Sequence, residues 1–532
     1  MTKMKARIKF LVPLLTVLLV FTACAPESGD STAAGKQTGE KASTAKGDEE
    51  KPITITYLYP LSGDYLRAVD DLGDSLVIQK MEELTNIHMK FVHPPTGQEV
   101  EQYNLMIAGG DLPDLVTHGM GMPDGYPGGG DKAIADDKYI TLNDLVEKYA
   151  PNFKKIIDTD KELRKDIVTD EGNIWGLPMI DETAQTAFTG PIIRKDWMDE
   201  LNLEEPETMD EWYQVLKKIK VEKNVEVPFI IPVSGIPGDC AFIGAYGVNS
   251  DFYKIDNKVQ YGPIQEGYKE YLQEIGKWFK EGLIASDFPA WDNDKMVQYM
   301  TTDKAAAAAN GFWVFEPWET ASESPNMKLT GVGYPSLKRG EKPHFRQNNR
   351  RMRGYFTAIT TNNKYPERTM EWLDYFYSKD GFKLANYGIE GKTYTEKDDK
   401  YQYTDLVMHN PENVPANIAF AKYAYSHGAF LRDWTRENPL FPEDAIAACD
   451  VWDQSADADY MLPPTKLTAE EGEEYSEIMG DINTYVGEKR LNFIMGEEPL
   501  DHFDDYVREI KDMNIEKAIK LQQAALDRYN KR

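Results

Sequence analysis

The alternation of β-branched and aromatic residues in Ile53-Thr-Ile-Thr-Tyr-Leu-Tyr59 predicts a strand. Helical spacing follows over 75–87, where Leu76, Met81 and Leu84 recur with Ile78 nearby, and Met89–Val92 predicts a second strand. A helix over 98–108 stops at Gly109-Gly110, and Leu115-Val-Thr117 predicts a third strand. Strand, helix, strand, helix, strand implies an α/β unit around a parallel sheet. Its third strand runs into a Gly- and Pro-rich loop, 119–130, at the carboxyl end where open α/β sheets place ligands. No G-x-G-x-x-G opens a helix there, so a dinucleotide site is not expected.

From Arg194 the pattern turns to long helices. Thr208 with Glu211 three residues on spells a capping box for a helix over 208–219. Apolar spacing predicts a helix over 268–279 ending at Gly282, a short strand over 356–360 and a helix over 366–377. Further helices follow over 475–495 and through Phe503, Val507, Ile510, Ile515, Ile519 and Leu526. No internal repeat is evident.

The N-terminus reads differently. Lys3, Lys5, Arg7 and Lys9 precede an apolar run from Phe10 to Phe21, too short to span a bilayer, so residues 1–23 are expected to be an export signal. Small Thr22 and Ala23 before Cys24 resemble the lipobox of bacterial lipoproteins, which implies a diacylated Cys24 thiol and a membrane anchor. Residues 25–51 contain no Val, Ile, Leu, Met or aromatic residue, so 24–52 is expected to be a flexible tether. Its reach is roughly 30 Å.

Composition narrows the function. Among 532 residues, 60 Lys+Arg against 89 Asp+Glu give a net charge of −29, and loss of four basic residues with the signal takes it to −33. That balance argues against nucleic-acid binding. Three Cys cannot build a disulfide framework. Cys240 and Cys449 could pair outside the cytoplasm, but two buried thiols are the favoured expectation. No G-x-S-x-G, H-E-x-x-H or P-loop is present, and His88 and His93, an odd spacing apart, face opposite ways, so no enzyme, cofactor or metal is expected.

Several segments together resemble the extracellular solute-binding proteins of bacterial ABC importers, in the large lipoprotein branch that includes alginate-binding proteins. They are Met106-Ile-Ala-Gly-Gly-Asp-Leu-Pro-Asp-Leu-Val116, Lys148-Tyr-Ala-Pro-Asn152, Asp170-Glu-Gly-Asn-Ile-Trp-Gly-Leu-Pro178 and Ile193-Arg-Lys-Asp-Trp-Met-Asp-Glu-Leu-Asn-Leu203. Pro206-Glu-Thr208, Glu211-Trp212, Asn386-Tyr-Gly-Ile-Glu-Gly391 and the terminal 522–529 continue the series. The resemblance implies a two-lobed α/β fold of the periplasmic-binding-protein type, helix-rich in its second lobe, closing by hinge motion on a ligand. It also implies an oligosaccharide ligand, permease subunits as partners and a monomer. A peptide, polyol or other small metabolite is the alternative ligand, and a surface glycan-active enzyme or adhesin the alternative class. Many members carry a calcium loop where this chain has Val221-Glu-Lys-Asn-Val-Glu-Val227, which has too few side-chain oxygens to form one. Asp292 with Asp294, and Asp457 with Asp459, read as surface charge.

The expected lobes are 53–182 with 340–385, and 183–339 with 386–532, the chain crossing near 180, 338 and 387. Candidate ligand contacts lie after the strands: Asp64, Tyr65, His118, Tyr126 and Asp181. Sugars present apolar faces ringed by hydroxyls, so aromatic platforms are also sought. Trp313 and Trp318 in Asn310-Gly-Phe-Trp-Val-Phe-Glu-Pro-Trp318 resemble the segment where the family places a cleft Trp, and Trp434 matches another such stretch. Arg346, Arg350, Arg351 and Arg353 form a basic cluster, and Arg353 matches a family Arg near the cleft that could clamp a carboxylate. Net charge and the missing calcium loop favour a neutral sugar; the Arg cluster favours an acidic one.

Overall fold

Residues 51–61, 63–231, 241–398 and 400–532 are described by a computed structural model. The export signal, Cys24, the tether through residue 50 and Cys240 lie outside them. In the strand Ile53–Leu58, Ile55, Tyr57 and Leu58 are buried while Thr54 is exposed, the alternation the sequence shows. It pairs in parallel with Ile87–Val92 through the helix Leu76–Thr85, which Ser75 caps and Asn86 ends in the left-handed conformation (φ 56°). Parallel pairing with Leu115–Thr117 follows the helix Glu99–Gly109, closed by Gly110.

Three later strands complete a six-stranded sheet. Met352–Ile359 runs antiparallel between Leu115–Thr117 and Leu177–Asp181, and Leu431–Arg432 lies parallel on the outer edge of Leu177–Asp181. The Tyr57 hydroxyl sits within 2.7 Å of Thr117 Oγ1, 3.2 Å of Thr357 Oγ1 and 3.3 Å of Tyr425 Oη. One buried hydroxyl thereby joins four distant chain segments.

A second, four-stranded sheet has the order Leu329–Gly331, Thr189–Arg194, Ala307–Gly311, Phe229–Ile230. Its small residues allow close packing: a Cβ on Gly190 would lie 2.4 Å from the Trp452 ring, on the helix Glu443–Ser455. The capping box at Thr208 and Glu211 starts the helix Met209–Glu222 as expected. A second one, at Thr468 and Glu471, starts the helix Ala469–Met495 six residues before the expected 475.

Lys51–Arg532 holds two main hydrophobic cores, one against each sheet, in a two-lobed α/β body. Their membership corrects the expected lobes. Phe345 belongs to the second core although 340–385 was expected in the first lobe, and Ala421, Tyr425, Ala429 and Phe430 belong to the first although 386–532 was expected in the second. The cause is long-range pairing that local pattern does not encode: Tyr65 Oη donates to Ala424 O at 2.5 Å, and Leu431–Arg432 joins the first sheet. The crossings therefore fall near 182–187, 345–352 and 441–445.

The C-terminal end also reaches the first lobe. Arg528 and Arg532 pair with Asp170 at 2.6 and 2.5 Å, and Tyr529 and Arg350 both hold Asp166. Lys466 lies over the Trp175 and Phe356 rings at 5.3 and 5.2 Å.

Two glycines test the packing. A Cβ at Gly130 would lie 2.3 Å from Trp175 ring carbons, whereas at Gly472, in a regular helix, nothing lies within 4 Å. Gly130→Ala is expected to destabilise by about 1–3 kcal/mol through overpacking. Gly472→Ala is expected to stabilise by about 0.5–1 kcal/mol. Chemical denaturation of the two variants measures both.

Candidate ligand-binding cleft

A cavity of about 330 Å³ lies between the two lobes, at the lower end of the range for small-ligand sites. The first lobe contributes Asp64 and Tyr65 beyond the first strand, Arg353 and Tyr355, the segment 417–427, and Arg432, Arg436 and Glu437. The second lobe contributes Phe188, Phe312 and Trp313, with Gln185 on the crossing segment.

The second-lobe wall is aromatic. Trp313 is 44% exposed, and its ring lies 5.8 Å from those of Phe188 and Phe312. Gly311 makes this possible, because a Cβ there would lie 2.2 Å from the Trp313 ring. Phe312 in turn meets Phe441 edge-on at 4.7 Å.

The first-lobe wall is polar and comes from a distorted strand. Met352–Ile359 shifts register twice against Leu177–Asp181, on either side of Gly354. There Gly354 has φ 83° and Tyr355 φ 51°, a conformation that a bulky side chain adopts only under constraint. The bulge turns Tyr355 toward the cavity, its ring 4.7 Å from His427 and against Gly119, whose Cβ would lie 2.9 Å from it. Asp64 accepts from Asn417 Nδ2 at 2.9 Å on the same wall.

Behind this wall is an ionic cluster. Asp181 is fully buried, with Arg353 Nε at 3.5 Å from Oδ2 and Arg432 Nη1 at 3.6 Å from Oδ1. Neither carboxylate oxygen accepts a hydrogen bond, and Arg353 Nε and Arg432 Nε donate none. Burial pushes Asp181 up to about 6, against the pull of Arg432, Arg353 and Arg436. Glu437 receives Arg432 at 3.0 Å and Arg436 at 3.4 Å; burial would raise its carboxyl, but these arginines hold it at about 2. Burial, reinforced by Arg432 and Arg436, pushes His427 down to about 3, so its imidazole is neutral at physiological pH.

The expected site residues divide. Asp64, Tyr65, Trp313 and Arg353 line the cavity, and Asp181 lies directly behind it. Trp434 lines an adjoining pocket of about 70 Å³ with Gln185, Thr186 and Cys449, its Nε1 donating to Thr183. His118 and Tyr126 do not reach the cavity. His118 is buried among Tyr103, Tyr139 and Trp175, bonded to Pro123 O and Tyr139 Oη, and burial pushes it down to about 4. Tyr126 donates to Asp136 at 2.9 Å. Trp318 is 2% exposed in the second core, since the helix Phe315–Ala321 turns it inward. Sequence reasoning missed Phe188, Phe312, Tyr355, His427, Arg432, Arg436 and Glu437; only the Arg353-Gly354 pair and the Arg432-Asp-Trp434 stretch carried a local signal.

Metal and thiol candidates are placed as well. Within 221–227, Glu226 accepts from Tyr299, and Asn224 has a left-handed backbone conformation (φ 54°). Asp292 caps the helix Asn293–Thr301. Asp457 and Asp459 approach His344 at the surface, but Asp457 is held by Lys342 at 2.6 Å. Cys449 is a buried free thiol, pushed up to about 12 by burial.

Comparison with known proteins agrees with this architecture. The fructooligosaccharide ABC transporter substrate-binding protein FusA of Streptococcus pneumoniae is 26% identical over 99% of each chain. The polygalacturonan/rhamnogalacturonan-binding protein YtcQ of Bacillus subtilis is 24% identical over 61% of this chain and 64% of its own. The crystal structure of the alginate-binding protein AlgQ2 without calcium ion matches at a TM-score of 0.69 and 25% identity, covering 90% of this chain and 98% of that one. The family profile of bacterial extracellular solute-binding proteins matches residues 73–381, which carry strands of both sheets and most of the cavity's aromatic wall, and the chain belongs to that family.

Proposed function

We propose that the protein is the substrate-binding component of an ABC importer. It captures an oligosaccharide between its lobes and delivers it to membrane permease subunits. The observation that carries this reading is the two-sided chemistry of the cavity. Phe188, Phe312 and Trp313 offer flat apolar surface from one lobe, and Asp64, Asn417, Arg353 and Arg432 offer fixed polar groups from the other. A sugar ring, apolar on its faces and hydroxylated around its edge, matches both. FusA, YtcQ and AlgQ2 are each named for a saccharide ligand, which supports the same ligand class here.

The arginines favour a neutral saccharide. Arg346 pairs with Asp453, Arg350 with Asp166 and Arg351 with Asp160, at 3.2, 2.7 and 2.7 Å. Arg353 and Arg432 share Asp181, and Arg432 and Arg436 share Glu437. A guanidinium already paired still donates hydrogen bonds to hydroxyls but attracts a free carboxylate weakly. The cavity supplies binding groups from two lobes, which fits hinge closure around a ligand: ligand touching both walls favours the closed state. The Cys24 thioether anchor holds the monomer at the outer face of the cell membrane.

Four outcomes test the reading. Titration calorimetry against a panel of neutral oligosaccharides, with peptides and polyols alongside, is expected to find a saccharide ligand whose addition lowers the radius of gyration in small-angle scattering. Binding of a peptide or polyol alone would move the protein to another ligand class. Trp313→Ala should raise Kd about tenfold or more, since an aromatic platform contributes over ~1 kcal/mol. Trp318→Ala should instead lower stability by about 3–5 kcal/mol and leave the Kd of folded protein nearly unchanged. Cys24→Ala should release the protein from the cell membrane into the medium, read by fractionation.

A further inference from the structure

Asp181 ends the strand Leu177–Asp181, and its two arginines come from the strands on either side. Arg432 is its direct partner in the parallel pairing, and Arg353 lies on the bulged antiparallel neighbour. The carboxylate is 0% exposed, yet both its oxygens and the Nε of both arginines lack hydrogen bonds. This is an unusual arrangement for a structural ion pair, which normally saturates its hydrogen bonds to offset desolvation. The arginines are directed elsewhere. Arg353 donates through Nη1 to Asn349 at 2.8 Å and passes over the Phe188 ring at 5.6 Å, and Arg432 reaches Glu437 and, at 3.5 Å, Gln185. Both line the cavity, and Asp181 does not. Asp181 therefore acts on a ligand through charge, at one remove.

On the reading that the ligand is a saccharide, we propose that Asp181 is the specificity-determining residue that makes the cavity select neutral over anionic sugars. Arg353, Arg432 and Arg436 bring three positive charges to the cavity, and Asp181, Glu437 and Asp64 bring three negative ones, leaving the guanidiniums as hydrogen-bond donors without a net pull on a uronate. Glu437 pairs with both Arg432 and Arg436, and Asp64 lies on the same wall. With the Asp181 charge removed, three guanidiniums would face the cavity with only Glu437 and Asp64 to balance them.

The same geometry couples selection to protons. The charged and titratable groups around Asp181 are Arg353 and Tyr355 on one neighbouring strand, Arg432 on the other, Arg436 and Glu437 on the helical turn Trp434–Leu440, and His427 beside Tyr355. Arg351 Nε holds the Asp181 main-chain carbonyl at 3.0 Å rather than the carboxylate. Glu437, at about 2, and His427, at about 3, keep their charge states between pH 5 and 7.5, whereas Asp181, at about 6, gains a proton on going down through that interval. Uronate carboxyls, with ordinary values near or below about 4, remain ionised at pH 5. Acidification therefore makes the cavity more positive while the anionic ligand stays anionic. By linkage, anion binding must take up a proton.

The experiment is calorimetric titration of wild type and Asp181→Asn, at pH 7.5 and 5.0. The probes are the neutral oligosaccharide that binds best in the panel and trigalacturonate. For wild type, trigalacturonate affinity should rise about tenfold on acidification while neutral affinity changes by less than about threefold. Asp181→Asn should bind trigalacturonate at least about tenfold better than wild type at pH 7.5, with no further gain at pH 5.0. If the variant is too unstable to assay, the wild-type pH arm decides alone. Neutral binding with no gain for trigalacturonate, by acidification or by substitution, overturns the inference and leaves the saccharide reading standing. So does a variant that loses both ligands alike, the mark of a purely structural role, when wild-type anion binding is flat with pH. Absence of binding by any saccharide at either pH overturns the saccharide reading and the inference with it.

Discussion

The cavity depends on the contact of Asp181 with Arg353 and Arg432. Three neighbouring strands of the first sheet end near one another, and each supplies one of these charges. Asp181 also sits where the chain first leaves the first lobe, so the group that organises the polar wall is adjacent to a crossing segment. A buried charge pair of this kind contributes little to net stability, because desolvation offsets most of the Coulombic attraction. Its consequence is orientation: two long, flexible guanidinium side chains are held in one place, facing a ligand that has not yet arrived.

The opposite wall uses a different device. Among the described residues no side-chain hydrogen bond fixes Trp313; its place is set by the missing side chain of Gly311 and by contact with Phe188 and Phe312. Apolar contact is tolerant of ring pucker and linkage, whereas the ionic wall is demanding about charge and direction. On the proposed function, labour divides accordingly: the second lobe would supply adhesion common to many sugars, and the first lobe discrimination. The bulge that holds Tyr355, the residue after Gly354, in the left-handed region also places Tyr355, Arg353 and His427 on one surface.

How much of this the sequence disclosed depended on range. The first three strands and the capping box at Thr208 were legible because their determinants lie within a few residues of one another. The helix beginning at Ala469 carried an equally local signal, Thr468 with Glu471, that apolar periodicity alone passed over. Lobe membership was not legible for 386–440. Those residues form short elements whose partners, such as Tyr57 for Tyr425 and Tyr65 for Ala424, lie more than 300 positions away. In the cavity lining, Asp64 and Tyr65 were legible from their places beside a strand and Arg353 from its family resemblance beside Gly354, while Trp313 and Trp318 were separated only by the turn between them, which exposes one and buries the other. His118 misled because a strand end pointed to a ligand site, whereas Tyr139 and Trp175 fill that end with side chains.

The central claim is that a saccharide binds between an aromatic wall and an arginine wall whose charge is balanced from behind. A crystal structure with the best-binding neutral oligosaccharide tests it most directly. The account predicts a sugar ring stacked on Trp313, with hydroxyls within hydrogen-bonding distance of Arg353 or Arg432 and the Asp181 carboxylate still between them. A ligand seated away from Trp313, or arginines swung off Asp181 to grip it, would contradict the account.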